Sequence, residues 1–124
     1  MMKTILLIFL GGGLGSVSRY ALGAWITKLV QNPFPAGTLI VNLTACLLVG
    51  LLAGVAGPGS VATSSRAFLV IGFCGGFSTF STFTSESAQL VAGQLTGSAV
   101  IYIVVSLIGC LGATFLGLWL AGRA

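Results

Sequence analysis

Long apolar stretches, separated by short segments rich in proline, glycine and polar residues, dominate the sequence. Four of these stretches, at about residues 4–30, 38–56, 66–92 and 97–121, are long enough to cross a bilayer. A hydrocarbon core of about 30 Å needs about 20 apolar residues. Residues 31–35, which include two prolines, end the first stretch, and residues 57–60 end the second. The pattern predicts an all-α membrane protein with four transmembrane helices in a single domain, residues 1–124.

The N-terminus resembles a signal peptide, because Lys3 precedes a short apolar run. The apolar character continues past Arg19 to Val30, however, and no polar domain follows. We therefore predict a first membrane helix that is retained.

The third stretch contains a run from Gly72 to Phe83 in which adjacent glycines precede alternating hydroxyl and phenylalanine residues. Glycine costs a helix roughly 1 kcal/mol relative to alanine, and Ser and Thr offer the backbone competing hydrogen bonds. An opened helix in hydrocarbon leaves polar backbone groups unsatisfied, so it is tolerated only inside protein or beside a wet cavity. We predict a broken third helix near Gly75 and Gly76, and we place the functional site there.

Composition excludes several classes of protein. Only 5% of the residues are charged, against roughly 25% in a soluble domain. The net charge is +4, but the basic residues are scattered, so no cluster follows a nucleic-acid backbone. With no histidine and with Glu86 as the single acid, the chain lacks the usual acid–base groups, and we predict that it is not an enzyme. The cysteines lie in apolar stretches and are interpreted as packing residues, not as disulfides or a metal site: Cys46, Cys74 and Cys110.

Charges outside the spans give a weak orientation signal. Four spans place both ends of the chain on one side of the membrane, with Lys3, Arg66 and Arg123, and leave Lys28 on the other. The positive-inside rule favours a cytoplasmic N-terminus by a small margin, so the chain can insert in both orientations. We predict a multi-pass protein of the plasma membrane, which is the inner membrane in a bacterium.

Small residues recur at four-residue spacing and permit close approach of helix backbones. They serve tight packing within one bundle or contact between subunits, and both interpretations stay open. Four helices leave little room for a conduit, so a pore would more naturally use a subunit interface. The residues are Gly11 and Gly15, Gly50 and Gly54, Gly72 and Gly76, and Gly109, Ala113 and Gly117.

Phe80 and Phe83 are three residues apart and therefore share one helix face. Plain packing is the ordinary role of such aromatics, but hydroxyl residues crowd the same turns. Aromatic ring edges carry partial positive charge. An edge can face an anion without holding it as tightly as a cationic side chain would.

Polar residues in the other spans have two open interpretations. Thr38 and Asn42, and likewise Tyr102 and Ser106, are spaced by four residues. They serve as interhelical hydrogen-bonding groups or as donors along an ion path. Glu86, one turn beyond Phe83, is a functional candidate, or an acid that is solvated at the membrane edge or bonded to Thr82.

Arg19 has the same ambiguity. It attracts anions to a vestibule, or it bonds to exposed backbone carbonyls. The glycine-rich run that precedes it, residues 11–15, is not a nucleotide-binding loop, because no strand precedes it and no acid follows at the expected distance.

Three motifs in order, read together, resemble the Fluc (CrcB-type) family of fluoride ion channels over essentially the whole chain. They are Gly12-Gly13-Leu14-Gly15 with Arg19-Tyr20, Gly37-Thr38-Leu39 with Val41-Asn42, and the run from Gly75 to Phe83. The resemblance implies an antiparallel, dual-topology homodimer that exports fluoride passively through two pores, each lined by both subunits. It also implies a structural sodium ion at the dimer centre.

Site residues follow from the resemblance by position. It implies pore phenylalanines at Phe80 and Phe83, a pore asparagine at Asn42, and a polar track formed by Thr38, Ser81, Thr82, Glu86, Tyr102 and Ser106. The main-chain carbonyls of Gly75 and Ser78 would hold the sodium ion. The family often has Thr at the position of Ser78, and Cys110 stands where a serine can extend the track.

Two other classes compete with the channel. A small multidrug exporter also has about four short helices, but its proton coupling needs a carboxylate, expected in the first helix, which here carries Arg19 and no acid. A non-transporting assembly subunit would explain the glycines but not the Phe-Ser-Thr run. Rescue of cells from fluoride or from a lipophilic cation discriminates among them.

Overall fold

Helices form all the regular structure in the computed structural model, which describes residues 1–55 and 63–122. Ala56, the predicted stop at residues 57–60 and Arg123 lie outside the described residues. The elements are α1 (Met2–Val30), α2 (Ala36–Val55), α3 (Thr63–Arg66), a π-helical segment (Ala67–Cys74), α4 (Gly75–Phe77), α5 (Phe80–Ala92) and α6 (Thr96–Leu120).

Four helical spans are long and apolar enough to cross a membrane: Met2–Val30, Ala36–Val55, Thr63–Ala92 and Thr96–Leu120. Each begins one to three residues before the start that the sequence predicts. The first span ends where Gln31 adopts a left-handed conformation, with φ 45° and ψ 41°. The Asn32 side chain then accepts a hydrogen bond from the Phe34 amide at 2.7 Å, so the connection to α2 is a tight polar turn.

The third span is not a regular α-helix. Its π-helical segment spans eight residues, Ala67–Cys74, and its last α-helical residues before the interruption are Gly75–Phe77. Ser78 and Thr79 are extended, with ψ 159° and 114° respectively, before α5 begins at Phe80. The interruption therefore lies just after the glycine pair, and Gly75 is helical, with φ −64° and ψ −37°.

The glycines decide which helices touch. A Cβ added at Gly72 would lie 2.9 Å from the Ile8 carbonyl oxygen, and one at Gly15 would lie 2.8 Å from the Phe77 nitrogen. The first span therefore runs parallel to the π-helical segment and α4 in backbone contact. The second and fourth spans pair in the same way, since a Cβ at Gly117 would lie 2.5 Å from the Leu47 oxygen.

Apolar side chains cover most of the outer surface of this single chain. Phe9 and Phe115, for example, are exposed on the first and fourth spans. Such a surface suits contact with lipid or with another transmembrane subunit. The two largest side chains that are fully buried are Tyr102 and Val41, and they lie in separate clusters beside the interruption in the third span.

Candidate functional site

Asn42 holds the interruption in the third span. Its Oδ1 accepts a hydrogen bond from the Thr79 amide at 2.8 Å, and its Nδ2 donates to the Thr79 carbonyl at 3.1 Å. The side-chain amide thus satisfies both backbone groups of an extended residue within a membrane span, which would otherwise cost several kcal/mol each. One N–H of Asn42 remains to serve another acceptor.

Thr79 also starts the next helix. Its Oγ1 accepts from the Thr82 amide at 3.2 Å and donates to Thr82 Oγ1 at 2.9 Å, while Ser81 Oγ lies 3.3 Å from it. The hydroxyl acts as an N-cap, which Thr commonly provides. Sequence reasoning did not select Thr79, although its position in the Phe-Ser-Thr run is the signal of such a cap.

These contacts divert the donors of two backbone carbonyls. In an uninterrupted helix the Gly75 carbonyl would accept from Thr79 N–H and the Ser78 carbonyl from Thr82 N–H. Here Thr79 N–H bonds Asn42, and Thr82 N–H bonds Thr79 Oγ1. Both carbonyls therefore lose the helical i+4 donor, and Gly75 is exposed in the single chain.

Arg19 bonds to the backbone at the end of α4. Its Nε donates to the Gly76 carbonyl at 3.2 Å, and Ser16 Oγ lies 3.4 Å from the same oxygen. The side chain therefore satisfies a carbonyl next to the interruption. Of the two interpretations that the sequence left open, the carbonyl-bonding one describes this contact. Arg19 also lines a cavity of about 210 Å³ together with Thr38, Thr79 and Thr82.

Glu86 is the centre of a second polar cluster. Thr38 Oγ1 donates to one carboxylate oxygen at 2.8 Å, and the Tyr102 hydroxyl donates to the other at 2.8 Å. The cluster therefore joins α2, α5 and α6. The predicted alternative of a Glu86–Thr82 bond is wrong, because the two carboxylate oxygens instead accept from Thr38 and Tyr102. On its outer side Glu86 lines a cavity of about 370 Å³ near the turn that holds Asn32.

The two phenylalanines have different surroundings. Their ring centroids are 5.4 Å apart, yet Phe83 is 7% exposed and Phe80 is 71% exposed. Phe83 packs against Tyr102, with centroids 5.2 Å apart. Phe80 projects from the single chain beside the groove described next.

A groove of about 420 Å³ runs along the outer side of the interruption. Asn42, Ser78, Thr79, Phe80 and Phe83 line one part of it, and residues of α6 line the other. Ser106 points into this region with a buried hydroxyl that has no hydrogen-bond partner among the described residues. The groove also includes residues that sequence reasoning did not select as site residues: Cys46, Thr114, Leu107 and Leu111. Helix spacing alone gave no signal for them, since their position depends on how α2 packs on α6.

The structure thus brings the predicted residues into three adjoining groups around one interruption. Asn42, Ser78, Phe80, Phe83 and Ser106 line the groove. Thr38, Glu86 and Tyr102 form the carboxylate cluster. Ser81 and Thr82 surround the cap of α5, and Gly75 lies at the carbonyl side of the interruption.

Apolar spans with an internal polar track define a multi-pass membrane protein of the channel or transporter class. A model of the CrcB-like protein (camphor resistance, CrcB) family matches residues 6–118. The chain belongs to this family.

Curated relatives agree over nearly the full length. A fluoride-specific ion channel FluC from Phocaeicola vulgatus is 45% identical over 97% of this chain and 99% of its own. The FluC channel of Flavobacterium psychrophilum is 44% identical over 97% of this chain and 98% of its own. That of Thermus thermophilus is 41% identical over 94% of this chain and 92% of its own. With its four spans, this protein is a multi-pass protein of the plasma membrane.

Proposed function

We propose that this protein is a fluoride-selective ion channel that exports cytoplasmic fluoride passively and so gives resistance to fluoride toxicity. The observation that carries the proposal is the interrupted third span. There an amide, several hydroxyls and two aromatic rings meet along one groove within an apolar chain. The relatives are named as fluoride-specific ion channels, and this identifies fluoride as the ion.

Fluoride is small and strongly hydrated, so a selective path must replace its water with hydrogen-bond donors. The remaining N–H of Asn42 and the unpartnered hydroxyl of Ser106 are two such donors beside the groove. The positive ring edges of Phe80 and Phe83 add weak attraction without a fixed charge. These groups bind the anion while allowing it to leave.

The Glu86 cluster has a different role. Thr38 and Tyr102 already direct their hydroxyl protons at the carboxylate. Each hydroxyl has a single proton, so fluoride gains a donor here only by replacing a carboxylate oxygen. Glu86 therefore holds these donors in place until the anion arrives, and the exchange keeps the net hydrogen-bond count constant.

Efflux from liposomes tests the function. Purified protein in fluoride-loaded vesicles should release fluoride without ATP or a proton gradient, and chloride-loaded vesicles should retain chloride. Phe80→Ile and Phe83→Ile should each lower fluoride flux by at least tenfold while leaving assembly unchanged on size-exclusion chromatography. Equal chloride flux, or wild-type flux in both variants, contradicts the proposal.

An antiparallel, dual-topology homodimer completes the proposed channel. Phe80 and Gly75 are exposed in the single chain, which suits contact with a second subunit. The charge bias in the sequence, with Lys3, Arg66 and Arg123 on one side and Lys28 on the other, is weak and suits insertion in both orientations. Reporter fusions at the C-terminus should be active on both sides of the membrane. A population that inserts in one orientation and still confers full fluoride resistance contradicts the arrangement.

A structural sodium ion fits the residues at the interruption. The Gly75 and Ser78 carbonyls lack their helical i+4 donors, and uncharged oxygens suit a hard monovalent cation. The ion would satisfy these carbonyls in a dry environment and would hold the interrupted backbone of two subunits together. Replacing sodium by N-methylglucamine should lower the thermal midpoint of unfolding. A midpoint that does not depend on sodium contradicts the site.

The multidrug-exporter alternative is not favoured. The first span carries Arg19 and no acidic residue. The three relatives described above are named as fluoride-specific ion channels.

A further inference from the structure

Two cysteines line the groove without a role in the proposed fluoride path. Cys46 on α2 and Cys110 on α6 both line it. Both are partly exposed, whereas Cys74 is buried elsewhere, in the π-helical segment. The initial interpretation of the cysteines as packing residues therefore suits Cys74 better than this pair.

The helix pair fixes the relative position of the two thiols. A Cβ at Gly109 would lie 2.9 Å from Leu43 Cδ2, and one at Gly117 would lie 2.5 Å from the Leu47 oxygen. A Cβ at Gly50 would lie 3.0 Å from the Thr114 carbonyl carbon, and Cys46 and Cys110 each lie four residues before this contact, on the same faces of their helices. The two cysteines therefore lie at the same level of the α2–α6 contact, beside the groove that both line, and they cannot separate without breaking that contact.

We propose that Cys46 and Cys110 form a two-thiolate site for a soft, thiophilic cation such as mercury(II), and that its occupation blocks the groove. Thiolates select soft metal ions. A d10 ion of this kind accepts two opposed sulfur ligands, so it needs no further protein ligand. Zinc would need about four ligands. In residues 1–55 and 63–122 there is no group of three or more His, Cys, Asp or Glu side chains to supply them.

Binding is an exchange of protons for metal. Each thiol releases its proton to water and forms one sulfur–metal bond, so one Hg²⁺ replaces two protons and no electron is transferred. The resulting complex has no net charge, which favours it over a charged one in a membrane. The bound ion lies in the same groove as Asn42, Phe80 and Ser106. The block, unlike the metal site, rests on the proposed fluoride function.

Two readouts on purified protein separate these claims. Titration with mercuric nitrate in chloride-free buffer follows the ultraviolet thiolate-to-metal charge-transfer band, and fluoride efflux from liposomes follows the block. The wild type should bind one ion per chain and lose at least tenfold in flux. Dithiothreitol should restore the flux by removing the metal.

Variants that each lack one of the cysteines locate the site. Cys46→Ser and Cys110→Ser should each weaken metal binding at least 100-fold, because a single thiolate of the pair is left. Each variant should therefore keep its fluoride flux when the metal is added. Cys74→Ser, the matched control, should behave as the wild type. Alanine versions of the same variants guard against a folding defect that is specific to serine.

Each outcome decides one of the claims. Undiminished tight binding in the double variant Cys46→Ser/Cys110→Ser, or its loss in Cys74→Ser, overturns the site. Stoichiometric binding with unchanged flux overturns the block. If the metal-free wild type conducts no fluoride, the proposed function fails, and the titration still decides whether the metal site exists.

Discussion

The two halves of the third membrane span are held in opposite ways. Before Ser78, the π-helical segment Ala67–Cys74 and α4 press against the first span through glycine backbones. After Thr79, α5 is joined to α2 and α6 by side-chain hydrogen bonds centred on Glu86. Backbone contacts leave no room for adjustment, whereas hydroxyl–carboxylate bonds can exchange partners. The comparison assigns rigidity to the first half and, under the proposed function, ion contact to the second.

A methyl group at Gly15 should produce the largest effect. Its Cβ would lie 2.8 Å from the Phe77 nitrogen, and backbone atoms cannot move aside as a flexible side chain can. Gly15→Ala should destabilise the protein by about 1–3 kcal/mol, as overpacking does in well-packed cores. Denaturant unfolding in detergent measures the change.

The control for this substitution is Gly13→Ala on the same helix, where an added Cβ meets nothing within 4 Å. It should be neutral or stabilising by up to about 1 kcal/mol, because alanine favours helix over glycine. If Gly15→Ala and Gly13→Ala change the stability equally, backbone contact does not make the first half of the third span rigid.

Removal of the Asn42 amide should reduce function more than stability. Asn42→Ala removes two hydrogen bonds to the half-buried Thr79, each worth about 0.5–1.5 kcal/mol. We expect fluoride flux to fall at least tenfold, because both the interruption and one donor are lost. Liposome efflux checks this.

Thr44→Val serves as the control on the same helix, since the Thr44 hydroxyl bonds only its own helix at the Ile40 carbonyl. Its flux should stay within about twofold of the wild type. If Asn42→Ala conducts as well as Thr44→Val, the amide is not part of the path.

Tyr102→Phe tests the hydrogen bonds that hold α5, the second half of the third span. Tyr102 is 0% exposed, and its hydroxyl donates to Glu86 at 2.8 Å. Loss of one hydrogen bond to a charged group should destabilise the protein by about 1.5–3 kcal/mol. We expect a smaller loss of flux than in Asn42→Ala, because Thr38 still orients the carboxylate.

The matched control is Tyr20→Phe, because Tyr20 is 78% exposed. It should leave both unfolding free energy and flux unchanged. A larger effect of Tyr20→Phe than of Tyr102→Phe would contradict the assignment of the Glu86 cluster to the path.

The smallest effect is expected at Arg19. Its observed contact is a hydrogen bond to the Gly76 carbonyl, which a glutamine amide can also donate. Arg19→Gln should therefore keep stability within about 0.5 kcal/mol, while Arg19→Ala loses about 0.5–1.5 kcal/mol. Measurement of flux at low and high salt tests the alternative role. A loss in Arg19→Gln that disappears at high salt would indicate electrostatic attraction of anions.

The sequence by itself determined the class of the protein and the number of spans. Long apolar stretches with 5% charged residues allow no soluble fold, and hydrophobicity is a property of each segment alone. The Gly-Gly and Phe-Ser-Thr run also predicted the interruption of the third span to within a few residues. The interruption begins at Ser78, two residues beyond the predicted Gly75–Gly76 pair, because glycine permits an opened helix but does not compel one.

The tertiary structure decided the details that depend on partners from other spans. Ser78 and Thr79 are extended because Asn42, 37 residues away from Thr79, supplies the lost backbone hydrogen bonds. Glu86 bonds Thr38 and Tyr102 and not its own neighbour Thr82, because the packing of α2 and α6 brings those hydroxyls to the carboxylate. Cys46 and Cys110 line the same groove for the same reason. Contacts between distant residues depend on how the helices pack, which the local pattern of the chain does not record.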